Sequence, residues 1–501
     1  MIDIKSLKDV IKRSIKPARV GSAEQQADVS QETICFIDED DFELLNLRGR
    51  GIAMISCGGG GSTNLRLIVD GAEETCTTDS IRVGSYKFNN SIKITAYNTD
   101  IQPQSGDTIL YTTKSLPNLV ISSHCHSKVY DYYKLTIPST IHNDYGCVYP
   151  ITLRFALADA CSFKAYKKYS LDAEWVEIPQ RTQAEMKNGV EGFRVEGNKA
   201  FLSVRFSDTS DEIYVKIEDE NGDPAGAFVG ITKYYDNKRC AVIFTADDSY
   251  VKNDGTDVTT ETETMIDDFQ ERELWITPAL ITGKLTSTHW SKLQAQFEEG
   301  YVEVAAHSRT HPSPPYSDYD SEIGGCKDDI IANLDLTKIP AAHPNLQSKG
   351  TTEYVWAWME PYGESDSDVR TKLGQYKYLV DRSAKYDIFA PISYPTWNPD
   401  GVGTFGRNQP SLQLTDTISD TDLNSVFDKC YSTGGIYFVY MHPTNWYNNL
   451  TNARNHADYI KGKADVWYVG AGHCWLYQLT RMNCVIYGVR DETQEVVWEW
   501  V

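Results

Sequence analysis

Apolar runs in the second half of the chain set the strongest limit on its fold: AVIFTA (241–246), LWITPALI (274–281), YVEVAA (301–306), IYFVYM (436–441) and VWYVG (466–470). Each is short and rich in β-branched and aromatic residues, the texture of a strand buried on both faces. Helical stretches at 262–273, 290–299, 366–380 and 420–431 stand between them. Such alternation predicts a parallel sheet covered by helices, open or closed into a barrel.

The first half reads differently. From Ile34 to about Tyr235 the segments LRLIVDG, SIKITAYN, DTILYTT, YYKLTIPSTI, ITLRFAL, AFLSVRF and EIYVKIED are short, often alternating and β-branched. Turn signals at Gly197-Asn198 and Asn221-Gly222-Asp223-Pro224 separate some of them. This spacing predicts β-sandwich-like modules. Ahead of them, Ile4, Leu7, Val10, Ile11 and Ile15 fall at helical spacing among Lys5, Lys8, Lys12 and Arg13, a basic amphipathic helix ended by Pro17. The expected division is a helical arm and linker over 1–33, a β-sandwich-like domain over 34–147 and a second β-rich domain over 148–235. A distorted (β/α) barrel over 236–485 and a final strand within 486–501 complete it.

A net charge of −22 over 501 residues argues against broad nucleic-acid binding, which draws on clustered Lys and Arg. No run approaches the roughly 18 apolar residues of a membrane span. The start, MIDIKSLKDVIKRSIKP, lacks the apolar segment of a secretory signal, so the chain is expected to stay in the cytoplasm, to leave by another route or to be a mature form. Eleven cysteines without a C-x-x-C pair fit buried thiols made in a reducing compartment. The 31 Tyr and 11 Trp suit β-sheet packing, and some of them suit surfaces that face sugars.

The run 241–246 ends in Asp247-Asp248, placing two carboxylates at a strand's C-terminal edge, where α/β folds build their sites. Alone this also reads as an exposed acidic turn. The run 301–306 leads into His307-Ser308-Arg309-Thr310-His311, and imidazoles four apart reach one metal from a single helical turn. Ser308 stands where a zincin has its Glu, so that protease class is disfavoured and a general base has to come from elsewhere. His124-Cys125-His126 alternates faces on a strand, and Gly58 to Gly61 lacks a following Gly-Lys-Ser/Thr, so neither reads as a site. His289, His343, His456 and His473 read as packing or surface residues. Trp397 and Trp446 fit either a pocket wall or the core.

Taken in order, Thr245-Ala-Asp-Asp-Ser249, Glu303-Val-Ala-Ala-His-Ser-Arg-Thr-His311, Met359-Glu-Pro-Tyr-Gly363 and Tyr437-Phe-Val-Tyr-Met-His442 resemble four motifs of the polysaccharide deacetylase (NodB-homology) family. The resemblance covers roughly residues 236–485 and implies a distorted (β/α) barrel. It implies that Asp248, His307 and His311 hold a divalent metal, Zn²⁺ by default, with Asp247 as general base and His442 as general acid. The backbone N–H of Tyr362 would stabilise the oxyanion. Two departures stand out. Met359 occupies the place of the family's Arg, which implies a freer Asp247 with a different pKa. The family's remaining motif has only a loose match at Ile392 to Trp397, with its Asp unplaced.

The activity expected is metal-dependent removal of acetyl groups from a bacterial surface polysaccharide or related glycan. The alternative is a non-catalytic carbohydrate-binding or structural protein of a virion or cell surface. A bacteriophage tail protein would be made in the cytoplasm and act at the virion or cell exterior, with homo-oligomer or virion partners through its N-terminal region.

Overall fold

The structure, a computed structural model, describes residues 129–146, 149–157, 162–207, 210–338, 343, 355–384, 411–490 and 492–498, together with the strands between 28 and 122. The expected arm at 4–15 lies outside the described residues, as do His124 to His126, Gly59 to Gly61 and the segment 392–397. The chain divides into two compact units, Met1–Ser127 and Lys128–Val501. In the first unit the described strands form a four-stranded and a five-stranded antiparallel sheet.

The second unit begins with a β-sandwich. Its strands are β1 (Tyr132–Thr136), β2 (Ile151–Leu157), β3 (Phe163–Lys168), β4 (Val176–Ile178), β5 (Gly192–Glu196), β6 (Lys199–Val204), β7 (Glu212–Asp219) and β8 (Gly226–Ile231). One sheet has the order β5-β6-β2-β8. The other starts β4-β3-β7-β1 and is completed by two strands from far along the chain, Val485–Arg490 and Thr493–Trp498. The two sheets meet through Tyr133, whose ring lies 5.3 Å from Phe155 and 5.9 Å from Phe228. The Tyr133 hydroxyl donates to the Gly226 carbonyl at 2.9 Å and accepts from the Phe228 N–H at 3.0 Å.

The boundary expected at 147/148 is therefore corrected. β1 lies before it, yet pairs with β7 and with Val485–Arg490 in the second unit. The single final strand expected after 485 is two strands forming a hairpin, turned at Glu492 in the left-handed region (φ 63°).

The barrel-like region follows with β9 (Cys240–Ala246), β10 (Thr277–Leu280), β11 (Ala305–Ala306), β12 (Ala357–Met359), β13 (Val380–Arg382), β14 (Leu412–Gln413), β15 (Ile436–Met441) and β16 (Val466–Tyr468). All pair in parallel, in the order β13-β12-β11-β10-β9-β15-β14, with β16 beside the first half of β9. Both β9 and β15 are buried along their whole length, as continuous apolar runs require. The covering helices are α1 (Thr259–Glu271), α2 (Ser287–Glu299), α3 (Cys326–Asn333), α4 (Ser367–Gln375), α5 (Asp420–Thr433), α6 (Leu450–Ile460) and α7 (Ala471–Asn483). Four of them match the expected stretches to within a few residues. No helix among the described residues is long and apolar enough to cross a membrane.

Sandwich and barrel share a buried aromatic seam. The Tyr149 hydroxyl accepts from Trp467 Nε1–H at 2.7 Å, and the Tyr149 ring meets Tyr235 edge-on at 5.4 Å. Near it, the buried Glu303 carboxylate accepts the Gly472 and His473 N–H groups at the start of α7, satisfying donors that a helix cannot satisfy itself. Gly470 leaves room for this contact, since a Cβ there would lie 2.2 Å from Glu303 Oε2.

His456 shows how the core responds to acid. Its Nδ1 is 2.7 Å from Asn424 Oδ1 and its Nε2 is 3.0 Å from the Tyr437 hydroxyl. Burial pushes its pKa down to about 3. The unfolded chain, with a His pKa near 6.5, therefore binds the extra proton first, and stability falls as pH drops from about 6.5 towards 3. At pH 5 this loss reaches about 2 kcal/mol. His456→Gln should remove that portion of the difference between urea unfolding at pH 7 and at pH 5. An unchanged difference would show that His456 is not the group responsible.

Candidate metal centre

The sheet's parallel order brings the C-terminal ends of its strands to one edge. Asp247 and Asp248 leave β9 there, His307 leaves β11, and Tyr362 follows β12. Arg382 ends β13, and His442 follows β15. Asp247 donates its N–H to the Met441 carbonyl at 2.8 Å, which locks the ends of β9 and β15 together.

Asp248, His307 and His311 converge. Asp248 Oδ1 is 3.6 Å from His307 Nε2 and 3.7 Å from His311 Nε2, and the two Nε2 atoms are 3.2 Å apart. Their candidate ligand atoms all lie within 4.8 Å of one another, the sole such group found among the described residues. All three side chains are buried, and Asp248 Oδ1 has no hydrogen-bond donor. A buried anionic oxygen facing two imidazole nitrogens is the donor set of a divalent cation. His307 Nδ1 lies 2.8 Å from the Met359 carbonyl, a contact that puts the proton on Nδ1 and turns the Nε2 lone pair inward. Burial, reinforced by His307, pushes the His311 pKa down to about 4 against the pull of Asp248. The ring is thus neutral and able to ligate near neutral pH.

The two histidines do not share a helical turn, as their spacing suggested. Residues 307–311 form a loop in which Ser308 (φ 67°) and His311 (φ 68°) are left-handed, and Ser308 Oγ accepts the His311 N–H at 2.8 Å. Glu322 pins this loop by accepting the N–H groups of Arg309 and Thr310 at 3.0 and 2.8 Å. Asp248 (φ 56°), Tyr250 (φ 70°) and Tyr362 (φ 55°) are left-handed as well. Strained backbone of this kind gathers where the surroundings hold a site in place.

Asp247 is not the loosely held base that Met359 implied. Arg382 Nη2 donates to Asp247 Oδ1 from the adjacent strand, where Arg382 pairs in register with Met359. The guanidinium is fully buried, 4.8 Å from the centre of the Tyr440 ring, with Nε 3.3 Å from the Met359 sulfur. Burial pushes the Asp247 carboxyl up, but Arg382, then His307 and His442, outweigh it and hold it below the usual carboxylate range.

His442 is half-buried, and its Nδ1 lies 3.1 Å from Asn445 Oδ1, while Asn445 Nδ2–H donates to Asp416 at 2.8 Å. Tyr362 is exposed; its ring stands edge-on to His311 at 4.5 Å, and its hydroxyl accepts from Asn253 Nδ2–H at 2.6 Å. Beside it lies a groove of about 470 Å³ lined by residues that include Pro314, Pro315, Glu364, Asp366 and Arg370.

Solved polysaccharide deacetylases are among the structures similar to this chain. A family 4 carbohydrate esterase from Streptomyces lividans is 18% identical, covering 46% of this chain and 92% of its own, with a TM-score of 0.29. A Mycobacterium smegmatis protein assigned as a polysaccharide deacetylase is 15% identical over 49% of this chain and 91% of its own, at 0.33. An allantoinase is 12% identical over 48% and 90%, also at 0.33. No protein-family model matches the chain, and no curated protein does.

The remaining histidines and Trp446 have packing roles. His289 caps α2 together with Thr286, and His473 lies against Glu303. The His343 ring sits 4.5 Å from Tyr301 and 5.2 Å from Trp275. Trp446 is core: it is fully buried, lies 4.8 Å from Phe269 and donates to Asp268 at 2.8 Å. Arg382, Glu322, Asn253 and Asn445 carry no signature in the sequence. The one signal for Arg382 is its place at the end of a short strand, Val380-Asp-Arg382, that follows the apolar pair Tyr378-Leu379.

Proposed function

We propose that the chain is a metal-dependent deacetylase that removes acetyl groups from a bacterial surface polysaccharide or related glycan. The observation that carries this reading is the grouping of Asp248, His307 and His311 beside an arginine-held Asp247 and within electrostatic reach of His442. Asp248, His307 and His311 would hold the ion, and a set of one carboxylate and two imidazoles suits Zn²⁺. When bound, such an ion acidifies a water molecule and polarises the acetyl carbonyl. Asp247, kept ionised by Arg382, accepts the proton of the attacking water. His442 donates a proton from Nε2 to the departing amine or alcohol, its ring oriented through Nδ1 by Asn445. The Tyr362 N–H donates to the developing oxyanion.

Acetate release from peptidoglycan, chitin-type oligomers and acetylated capsular material tests the reading. Release from at least one substrate, abolished by a chelator and restored by Zn²⁺, is the expected result. Protein that holds its metal yet releases acetate from none of them would sink the catalytic claim. That outcome would leave the second reading, a carbohydrate-binding or structural protein that does not turn over.

A further inference from the structure

Asn253 makes contact with residues that follow three different strands of the parallel sheet. It sits in a tight loop after β9, where Val251 pairs with Asp257. In that loop the Lys252 N–H donates to the Thr256 carbonyl at 2.9 Å, and the Val258 N–H donates to the Tyr250 carbonyl at 2.9 Å. The loop thus closes on its own backbone. The contacts that Asn253 makes outside it are not needed for that closure.

The first of them reaches a candidate metal ligand. The Asn253 N–H donates to Asp248 Oδ2 at 3.3 Å, while Asp248 Oδ1 faces the two imidazoles without a donor. This bond divides the carboxylate, since one oxygen is held by backbone and the other is left for a cation. The second reaches Tyr362, whose hydroxyl accepts from the Asn253 Nδ2–H at 2.6 Å. Tyr362 is 55% exposed and left-handed, so packing alone does little to fix its outer side. Its side chain is gripped between His311, edge-on at 4.5 Å, and the Asn253 amide.

The third contact holds Asn253 itself. The Lys284 ammonium, in the turn after β10, donates to the Asn253 carbonyl and, at 3.0 Å, to its Oδ1. With Oδ1 taken by an ammonium, the amide turns its Nδ2–H to Tyr362.

We infer that Asn253 is a positioning residue for the metal centre. Its backbone sets the oxygen of Asp248 that faces the cation, and its side chain holds Tyr362, whose N–H meets the oxyanion. A loop tied at both points couples them, so freeing the Tyr362 hydroxyl also loosens the Asp248 carboxylate. The role at the oxyanion rests on the deacetylase reading, whereas the role at Asp248 needs only the metal centre.

Chelator competition for Zn²⁺ on the full chain reads the role at Asp248 without any substrate. Asn253→Ala and Tyr362→Phe should each weaken Zn²⁺ binding about tenfold, the usual effect of losing a group that holds a ligand. The double variant should be no weaker than the worse single one, because both changes remove the same bond. Lys284→Met, which keeps Asn253 but frees its amide, should give a similar loss. At saturating Zn²⁺, Asn253→Ala should lower kcat for acetate release about tenfold and leave KM unchanged.

Unchanged Zn²⁺ affinity in the single variants, or losses that add in the double variant, would overturn the inference. So would a metal-free Tm that falls in step with the affinity, since that is the mark of a merely structural loop. An active enzyme whose kcat at saturating Zn²⁺ ignores Asn253→Ala would overturn the role at the oxyanion. Coupled loss of Zn²⁺ affinity in a chain that releases no acetate from any substrate would instead fail the deacetylase reading and leave the role at Asp248 standing.

Discussion

Asp248→Ala is expected to empty the metal centre and lower acetate release by at least about three orders of magnitude, roughly 4 kcal/mol of transition-state stabilisation. Elemental analysis should fall from near one ion per chain to background. The effect on folding runs the other way in metal-free protein. Asp248 Oδ1 is buried without a donor, so the carboxylate is a charge whose hydration has been lost without full replacement. The metal-free variant should therefore melt no lower than metal-free wild type, whereas Zn²⁺ should raise the Tm of the wild type alone. A variant that still binds one equivalent of Zn²⁺ and still releases acetate would remove Asp248 from the site.

Arg382→Met should be the most damaging substitution outside the metal ligands. It strands Asp247 in the interior without its counter-charge, a loss of about 3–5 kcal/mol for a broken buried pair. The carboxylate then tends towards its neutral form, and as a base it weakens, so acetate release should fall about 10²–10³-fold. The decisive comparison is the double exchange Met359→Arg with Arg382→Met. The two positions are in register on adjacent parallel strands, so a guanidinium at 359 is placed to reach Asp247 from the neighbouring strand. Urea unfolding and acetate release should both recover substantially in the double variant. If the exchange is no better than Arg382→Met alone, the ion pair does not act through proximity to Asp247.

Residues that announce themselves locally were legible in the sequence. Asp247-Asp248 and His307 follow apolar runs directly, so the strand reading carried them to one edge; His311 came with His307 through its spacing, and His442, at the end of another apolar run, through the motif order. The helices were legible for the same reason, since amphipathic spacing is a short-range signal. Arg382 was not legible, because its role comes from the pairing of β12 with β13 and from the side of the sheet it faces. Neither is written within a few residues of Arg382. The loop form of 307–311 was also hidden, since four-residue spacing says nothing of the Ser308–His311 bond or the left-handed backbone that replace a helical turn. The 147/148 boundary misplaced β1 because strands of the two β-rich regions look alike locally, and only the partners of β1 tell them apart.

Those partners impose an order of events. The strand Tyr132–Thr136 lies between β7 and Val485–Arg490, so one of its edges finds its neighbour only after some 350 further residues have been made. At a synthesis rate of about 5–20 residues per second this is a wait of roughly 20 to 70 s. Throughout it the nascent sandwich carries an open β1 edge, the kind of surface that pairs with the wrong chain. The whole barrel has to form as an insertion in an unfinished sheet, and the last hairpin acts as the clasp that closes it.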